Sequence, residues 1–287
     1  MREEFYAYAK LNLCLDILGK RPDGYHELKM VMHSVTLHDT LCIKSAENGI
    51  SCSSNLDYLP GNEENLAVKA AKVFFRETGV KEQGLRIRLN KLIPICAGMG
   101  GGSSDAAAVL RWLRQEFLPQ LSLECLEQIA ALVGSDVPYC VRGGTVLARG
   151  RGEILQDLPA LPECFFVLCK PDFSISTPEL FRQIRVKRIL LHPDSEGMTR
   201  ALEQGDLEGV ARRMYNVFED FLPRRCSEIF TIKHLLLQEG AMNAVMTGSG
   251  PTVFGIFDGM ERAQKAYERI KQIYPAAYLA ENVKQGV

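Results

Sequence analysis

The sequence predicts an α+β fold in two domains. Segments with alternating apolar residues, typical of strands, are interspersed with helix-like segments along the whole chain. Several strand-like segments follow one another as in hairpins, which distinguishes the pattern from a parallel doubly wound sheet. A stretch rich in Gly and Pro over residues 150–162 is the best candidate for a boundary. We therefore expect one domain over residues 1–153 and a second over residues 154–287.

The elements follow from the pattern of apolar residues. In the first domain, Leu85, Ile87 and Leu89 alternate with arginines, which indicates a strand with one buried face. The predicted strands there lie near residues 5–18, 28–45 and 85–92 and after Gly143–Gly144, and the helices near 64–77, 103–117 and 123–133. In the second domain, strands are predicted near residues 165–169, 243–246, 252–257 and 276–283, and helices near 178–185, 196–203, 206–221, 226–238 and 260–273.

Composition excludes several classes of protein. The chain has 46% hydrophobic and 24% charged residues, which is typical of a soluble globular protein, and a net charge of −1. This charge gives no general attraction to nucleic acid or to an anionic membrane. No apolar run approaches the roughly 20 residues that span a bilayer, and no signal peptide is evident at the N-terminus. We expect a cytoplasmic protein without nucleic-acid or membrane partners.

The cysteines and histidines carry no metal signal. None of the nine cysteines forms a C-x-x-C pair, and the five histidines lack metal-ligand spacing. Cys14, Cys140 and Cys169 lie in apolar segments predicted to be strands. Buried free thiols in a reducing compartment are therefore expected, and neither disulfides nor a zinc site.

The most informative segment runs from Pro94 to Asp105 and contains three consecutive glycines followed by two serines. It lies between a predicted strand and an Ala-rich helix, where glycines allow close approach to a phosphate and the helix N-terminus adds partial positive charge. The serines suit N-capping, and Asp105 suits the first turn. The segment is neither a Walker A loop nor a dinucleotide fingerprint. The pattern alone leaves phosphate binding and an ordinary turn equally open.

Four further features could carry chemistry. Lys10 and Asn12 share one face of a predicted strand, although a solvated face is the favoured interpretation from the pattern alone. Tyr25 and His26 follow a turn and suit contact with a nucleobase, or a turn with a packed ring. Asp136, before Pro138, could accept a proton from a substrate hydroxyl or form a turn. A second glycine-rich loop at Thr247–Pro251 indicates, by itself, a hairpin.

In their order, Lys10-x-Asn12-Leu13, the Pro94–Ser104 segment and the Gly248-Ser249-Gly250 loop resemble the GHMP small-molecule kinases. Within this family, the segment from Ala9 to His26, with its Arg-Pro-Asp-Gly-Tyr-His element, is similar to the branch that acts on a cytidine-diphosphate-linked methylerythritol. The resemblance spans nearly the whole chain. It departs mildly at Met99 and Ser135, where the family often has Leu and Ala.

This resemblance implies an N-terminal domain like domain 2 of ribosomal protein S5 and a ferredoxin-like C-terminal domain. It implies ATP-dependent phosphorylation of the acceptor's 2-hydroxyl in non-mevalonate isoprenoid biosynthesis. Mg²⁺ is expected to arrive with ATP, because the matched motifs contain no evident protein ligand. The expected partners are ATP and the small-molecule substrate, and the protein is expected to be a monomer or a homodimer.

The resemblance also implies residue roles. Lys10 and Asp136 match the catalytic pair. The matched ATP-binding positions are Asn65, Pro94, Ile95, Cys96, Ala97, Gly98, Met99, Gly100, Gly101, Gly102, Ser103 and Ser104. Asn65 is placed near adenine, although a helix N-cap is equally consistent with the sequence. The matched substrate-binding positions are Asn12, Tyr25, His26, Thr177, Phe181, Gly248 and Ser249. Among these, Tyr25 and His26 would hold cytosine, and Phe181 would stack on the opposite face of the base.

Two other functions remain open from the sequence. One is a different GHMP kinase, acting on homoserine, mevalonate or a sugar, for which a base-binding pair at Tyr25 and His26 would have no use. The other is a non-catalytic nucleotide sensor or RNA-binding module on the same fold. The presence of both Lys10 and Asp136 and the nearly neutral net charge disfavour that second function.

Overall fold

The computed structural model describes residues 4–283, which group into two compact units. The first unit contains the described residues up to Ala9 together with His38–Ile95 and Gly100–Gly143. The second contains Lys10–Leu37, Cys96–Met99 and the described residues from Gly144 onward. Because the chain passes from one unit to the other several times, the boundary near residue 153 stays a prediction about the two family domains.

Two long strands, β1 (Phe5–Lys20) and β2 (His26–Ala46), contribute residues to both units. In the first unit, β4 (Gly84–Asn90) is antiparallel to the Thr40–Ala46 part of β2 and parallel to β3 (Ile50–Ser54). The apolar residues of β4 are buried and the arginines between them are exposed, as the alternation predicted. Strand β3 was not predicted.

Four helices complete the first unit. They are α1 (Leu66–Thr78), α2 (Gly101–Phe117), α3 (Leu123–Ala131) and α4 (Val137–Arg142). The first three confirm the predicted helices near 64–77, 103–117 and 123–133. The sequence predicted only a turn where α4 lies. Cys140 is buried, as expected, but it belongs to this helix and not to a strand.

In the second unit, the Leu28–His33 part of β2 is antiparallel to β5 (Thr145–Gly150), which in turn is antiparallel to β6 (Ile154–Asp157). Strand β8 (Tyr215–Asn216) is parallel to β1 at Cys14 and Leu15. Over the described residues, the resulting sheet has the order β3-β4-β2-β1-β8, with β5 on β2 and β6 on β5. Strand β6 lies in the Gly- and Pro-rich stretch, which is therefore not simply a linker.

A second sheet is formed by β7 (Phe165–Cys169), β9 (Asn243–Met246), β10 (Val253–Phe257) and β11 (Ala277–Glu281). It is antiparallel with the order β11-β7-β10-β9. Helix α8 (Glu228–Gln238) precedes β9, and α9 (Met260–Ile273) joins β10 to β11. This connectivity is the ferredoxin-like arrangement, so the predicted α+β fold class is confirmed.

The remaining helices are α5 (Thr177–Gln183), α6 (Ser195–Glu203) and α7 (Leu207–Arg212). The prediction of one helix over 206–221 is wrong beyond Arg212, where β8 and a 3₁₀ turn at Val217–Phe221 follow. Asn216 explains the difference. Its buried Nδ2 donates to the carbonyl oxygens of Met246 (2.7 Å) and Gly248 (2.8 Å), which requires an extended backbone at this residue. Tertiary hydrogen bonds here override helix propensity.

The cysteines are free thiols, as predicted, and six of the nine are buried. Burial raises the pKa of Cys14 to about 12 and that of Cys52 to about 11, so these thiols stay protonated and unreactive at neutral pH. Cys96 and Cys125 are the exposed ones. Among residues 4–283, no helix is both long enough and apolar enough to cross a membrane.

His33 lies in the core of the second unit, with 2% of its surface exposed. Its Nδ1 is 2.9 Å from the hydroxyl of Thr145, and its Nε2 has no hydrogen-bond partner among the described residues. Burial lowers the pKa of His33 to about 3, because the charged imidazolium would lose its hydration without gaining a counter-charge. The imidazole is therefore neutral in the folded protein at physiological pH.

This burial predicts an acid-sensitive contribution to stability. The unfolded chain protonates His33 below its ordinary pKa of about 6.5, whereas the folded protein does so only near pH 3. Stability is therefore complete above about pH 6.5 and falls as the pH decreases toward 3. Between pH 6 and pH 5, the native protein should lose about 1 kcal/mol more than a His33→Gln variant. Urea unfolding of both proteins at each pH measures this, and equal losses would contradict it.

Candidate active site

Lys10 and Asn12 on β1 are both buried, with 4% and 0% of their surfaces exposed. The Nζ of Lys10 donates to Oδ1 of Asn12 over 2.7 Å. The interpretation of this strand face as solvated, which the pattern favoured, is therefore wrong. Burying an ammonium costs free energy unless it is hydrogen-bonded or paired. A buried lysine that is hydrogen-bonded to a buried amide therefore indicates a functional polar site.

Two glycine-rich loops contact this part of β1. The backbone N–H of Lys10 donates to the carbonyl oxygen of Met99 over 3.0 Å, and that of Asn12 donates to the hydroxyl of Thr247 over 3.0 Å. Thr247 also lies within 3.4 Å of the carbonyl oxygen of Gly98. The backbone of β1 is thus held at Lys10 by the Met99 carbonyl oxygen and at Asn12 by the Thr247 hydroxyl. Sequence reasoning missed these contacts of Met99 with Lys10 and of Thr247 with Asn12, since no local pattern links residues so far apart in the chain.

The loops approach so closely that only glycine fits. A Cβ on Gly98 would lie 2.2 Å from the carbonyl oxygen of Thr247, and Gly98 has a φ of 76°. A Cβ on Gly248 would lie 2.8 Å from the carbonyl oxygen of Gly98 and 3.2 Å from Nζ of Lys10. The loop at Thr247–Pro251 is therefore more than a hairpin turn, because it brings its backbone beside the Lys10 ammonium.

Four of the seven predicted substrate residues, all in the second unit, form two pairs. The rings of His26 and Phe181 are stacked, with centroids 5.0 Å apart and an interplanar angle of 24°. The hydroxyls of Thr177 and Ser249 are 2.6 Å apart. Tyr25 is exposed, and the guanidinium of Arg151 lies 4.9 Å from its ring centroid.

The His26 ring is neutral at physiological pH. Partial burial, and to a lesser extent the positive charge of Lys20, lower the pKa of His26. A neutral imidazole presents one N–H donor and one nitrogen acceptor. That combination suits the edge of a nucleobase, where donors and acceptors stand side by side.

In the first unit, α2 begins differently from the prediction. Its N-cap is Gly100, whose φ of 71° is left-handed, and no side chain caps the helix. The N-capping role predicted for Ser103 and Ser104 is therefore wrong, because both serines lie inside the first turn. Ser104 is buried and its hydroxyl donates to the carbonyl oxygen of Tyr8, which ties α2 to β1.

This start leaves backbone donors at the end of the glycine loop. The first hydrogen bond along α2 runs from the N–H of Ser104 to the carbonyl oxygen of Gly100. The N–H groups of Gly101, Gly102 and Ser103 precede it, so they have no partner within the helix. These three consecutive donors, together with the helix dipole, form an arrangement that binds phosphate in proteins.

The earlier part of the glycine loop has one unusual residue. Cys96 has a φ of 52°, the only positive value outside glycine among the described residues, and its side chain is exposed. Ala97 and Met99 are buried, whereas Pro94 and Ile95 are half-buried. The structure thus exposes one thiol on a loop whose other apolar side chains are wholly or partly covered.

Asn65 has the structural role that the sequence left open. Its Oδ1 accepts from the N–H of Ala67 over 3.0 Å, which makes it the N-cap of α1, and its Nδ2 donates to the carbonyl oxygen of Pro60 over 2.9 Å. A contact with adenine stays a prediction. Asp136 occupies the N-cap position of α4, but its carboxylate does not cap the helix, and the residue is half-buried. The carboxylate is therefore not committed to the helix terminus.

A buried cluster of three charges lies next to the glycine loop, and sequence reasoning missed it. The Nζ of Lys91 is paired with the carboxylates of Asp39 and Asp105, the latter over 2.5 Å. The expectation that Asp105 lies in the first turn of α2 is wrong, since the helix begins four residues earlier and Asp105 points to Lys91.

The cluster has perturbed protonation equilibria. Burial opposes the charge on Lys91, but Asp105 and Asp39 outweigh it and raise the pKa of this lysine. Burial also raises the pKa of Asp105 to about 7, an effect that Lys91 opposes and Asp39 reinforces. Within the described residues, no three His, Cys, Asp or Glu side chains converge to hold a metal ion.

Comparison with known proteins identifies the family of this chain. Residues 65–144 match the GHMP kinases N terminal domain, and residues 198–276 match the GHMP kinases C terminal domain. The chain is 46% identical over 273 residues to the 4-diphosphocytidyl-2-C-methyl-D-erythritol kinase of Syntrophomonas wolfei subsp. wolfei, with 95% of each chain covered. It is 40% identical over 277 residues to the same kinase of Clostridium botulinum (strain Kyoto / Type A2), covering 96% of this chain and 99% of the relative.

A solved structure agrees. The crystal structure of a 4-(cytidine 5'-diphospho)-2C-methyl-D-erythritol kinase is similar to this chain with a TM-score of 0.83 and 31% identity, covering 98% of this chain and 100% of that one. Both family domains, the sequence relatives and the solved structure therefore agree with the resemblance seen in the motifs. The chain belongs to the GHMP kinases and, within them, to the 4-diphosphocytidyl-2-C-methyl-D-erythritol kinase family.

Proposed function

We propose that this protein transfers the γ-phosphoryl group of ATP to the 2-hydroxyl of 4-diphosphocytidyl-2-C-methyl-D-erythritol, giving the 2-phosphate and ADP in non-mevalonate isoprenoid biosynthesis. As a member of its family the protein is an ATP-dependent small-molecule kinase. The observation that carries the proposal is the buried Lys10–Asn12 pair, held by Met99 and Thr247 of two glycine-rich loops. We include in the proposal that the enzyme acts in the cytoplasm, as a monomer or homodimer, without nucleic-acid partners.

In this proposal the N–H groups of Gly101, Gly102 and Ser103 hold the phosphates of ATP. Three adjacent amides at a helix start bind oxygen anions by hydrogen bonds that point the same way, and the helix dipole adds to them. The absence of side chains on the two glycines lets the phosphates come close to the backbone. Asn65 is assigned to the adenine end. Mg²⁺ enters with ATP as part of the donor substrate, and we assign it no protein ligand.

Phosphoryl transfer requires alignment and charge stabilisation more than covalent catalysis. The 2-hydroxyl oxygen of the acceptor forms a bond to the γ-phosphorus, and the bond from that phosphorus to the β,γ-bridging oxygen breaks, with its electron pair leaving on ADP. The carboxylate of Asp136 accepts the hydroxyl proton. The ammonium of Lys10 stabilises the charge on the transferring group. The side-chain amide of Asn12, whose oxygen accepts a hydrogen bond from Lys10, orients the polyol substrate.

We assign the cytidine end of the acceptor to Tyr25, His26 and Phe181. The neutral imidazole of His26 offers a donor and an acceptor to the edge of cytosine. Phe181 is covered by the His26 ring in the structure, so a base that stacks on Phe181 takes the place of the imidazole, which then contacts the edge of the base. Tyr25 supplies the second ring, and the Thr177–Ser249 hydroxyl pair is assigned to the diphosphate. Gly248 is assigned to the acceptor through its backbone.

A kinase of homoserine, mevalonate or a sugar is less well supported. The two sequence relatives described above, at 40% and 46% identity, are both named for the cytidine-linked acceptor. The chain also carries the stacked His26–Phe181 pair and an exposed Tyr25, aromatic groups that a simple alcohol would leave unused.

Replacing Asp136 with Asn tests the proposed base. The amide keeps the size of the side chain but cannot accept the proton, so kcat should fall by about 10²- to 10⁴-fold while the Kd for ATP stays within about twofold. Coupled ADP release gives kcat, and calorimetry gives the Kd. Asp57→Asn, an exposed aspartate of the same unit, is the matched control and should be unaffected. Turnover near the native rate in Asp136→Asn would remove the residue from its assigned role.

Thiol labelling tests ATP binding at the glycine loop. Cys96 on this loop and Cys125 on α3 are the exposed cysteines, so a thiol reagent should modify them first. ATP at about ten times its Kd should slow the labelling of Cys96 about tenfold, because the bound nucleotide covers the loop. Cys125 is the internal control and should react at an unchanged rate. Mass spectrometry assigns the sites, and labelling of Cys96 that ignores ATP would exclude the proposed position.

Replacing His26 with Ala tests the acceptor. Loss of the imidazole should raise the KM for the cytidine-linked acceptor about tenfold and leave the KM for ATP unchanged, because a hydrogen bond to the base is lost. His234→Ala, an exposed histidine on α8, is the matched control. The same ADP-release assay on homoserine and mevalonate should show no turnover by the native enzyme. Preferred turnover of either alcohol would overturn the proposed substrate.

A further inference from the structure

We infer that Asp39, Lys91 and Asp105 act as a clamp that holds both ends of the glycine loop in the geometry that binds ATP. The inference rests on the proposed function, since it concerns the binding of the same nucleotide. It makes these three side chains positioning residues, which contact neither ATP nor the acceptor. None of them belongs to the motifs that carried the family resemblance, apart from the position of Asp105 at the end of the loop.

The clamp closes the loop at its base. Lys91 lies three residues before Pro94, where the loop begins, and Asp105 directly follows Ser104, where it ends. The ion pair between Lys91 and Asp105 therefore joins the two chain ends from which the loop emerges. Both side chains are almost fully buried, with 1% and 5% of their surfaces exposed. Screening by solvent is therefore weak, and the Coulomb attraction between the two side chains is stronger than in a surface pair.

Asp39 fixes the incoming strand. Its Oδ1 accepts the backbone N–H groups of Leu92 over 2.6 Å and Ile93 over 2.8 Å, which are the two residues immediately before Pro94. Its other oxygen pairs with Lys91. One fully buried carboxylate thus sets the direction of the chain as it enters the loop. A carboxylate that accepts two main-chain donors restrains the backbone, which a surface ion pair does not do.

The outgoing end is set by contact with α2. A Cβ on Gly101 would lie 3.0 Å from the side chain of Ile93 and 3.4 Å from Nζ of Lys91. The first residue of α2, whose N–H is one of the three proposed phosphate donors, therefore packs directly against the clamp. Displacing Lys91 or Asp105 changes the position of that donor without touching the ligand.

Burying this cluster costs folding free energy, which indicates a role other than packing. Two carboxylates share one ammonium in the interior, and Oδ1 of Asp105 is buried with no hydrogen-bond partner among the described residues. An unsatisfied buried oxygen is destabilising, and replacing buried ion pairs by apolar groups often leaves stability unchanged or increases it. Strained or under-satisfied groups of this kind concentrate at functional sites.

Asp105→Asn and Asp39→Asn test the clamp, because each keeps the side-chain volume and replaces a carboxyl group that pairs with Lys91 by a neutral amide. Each should raise the KM for ATP about tenfold, while kcat at saturating ATP and the KM for the acceptor stay within about twofold. The double variant should show less than the product of the two effects, because both charges act through Lys91. If Asp105→Asn does not fold, Asp39→Asn still tests the clamp. Its amide oxygen can accept the same hydrogen bonds from the backbone N–H groups of Leu92 and Ile93.

Arg114→Met is the matched control. Arg114 donates to the carbonyl oxygen of Leu121 over 2.6 Å at the C-terminal end of the same helix, so its loss destabilises α2 without reaching the loop. It should lower the melting temperature and leave the KM for ATP unchanged. If the clamp variants behave like Arg114→Met, the cluster is merely structural and the inference is overturned. A native enzyme that shows no ATP-dependent phosphorylation would instead overturn the proposed function.

Discussion

The candidate site depends on backbone atoms that approach one another without side chains between them. Gly98 and Gly248 bring two loops into main-chain contact, and the carbonyl oxygen of Gly98 would be 2.8 Å from any Cβ on Gly248. This contact sets the place of Met99 and Thr247, which in turn hold Lys10 and Asn12 through hydrogen bonds to the backbone of β1. A single methyl group at either glycine would separate the loops, and the lysine would lose the surroundings that make its burial tolerable.

Much of the fold could be predicted from the sequence, because burial imposes a period that the residues must follow. The alternation in β4 and the apolar faces of α1 and α9 gave the correct elements. The 3₁₀ turn after β8 could not be predicted in this way. Asn216 has an extended backbone because its amide bonds to carbonyl oxygens some 30 residues further along the chain. Hydrogen bonds between residues far apart in the chain produce no periodic pattern in the local sequence.

The candidate site, like the fold, could be predicted only in part. The glycine loop, Lys10 and Asn12 could be singled out because glycine runs and polar residues on an otherwise apolar strand are visible in the sequence, and Asp136 because it lies in a predicted turn before Pro138. The surroundings of these residues could not be predicted from the sequence. The pattern favoured a solvated face for Lys10, and the serines after the glycines suggested capping, although Gly100 caps α2 by its own left-handed backbone. The partners of Asp105 were invisible, since Asp39 and Lys91 lie 66 and 14 residues away in the chain.

Asn216 has a consequence for the chemical ageing of the protein. Its Nδ2 gives one hydrogen bond to each of two carbonyl oxygens, at Met246 and Gly248, on either side of Thr247. Deamidation to aspartate would set a negative oxygen against both carbonyls, replacing two attractions with two repulsions directly beneath the loop next to Lys10. Because Asn216 is fully buried and its amide is held by both carbonyl oxygens, the folded state restrains the side-chain movement that deamidation requires and so delays this damage.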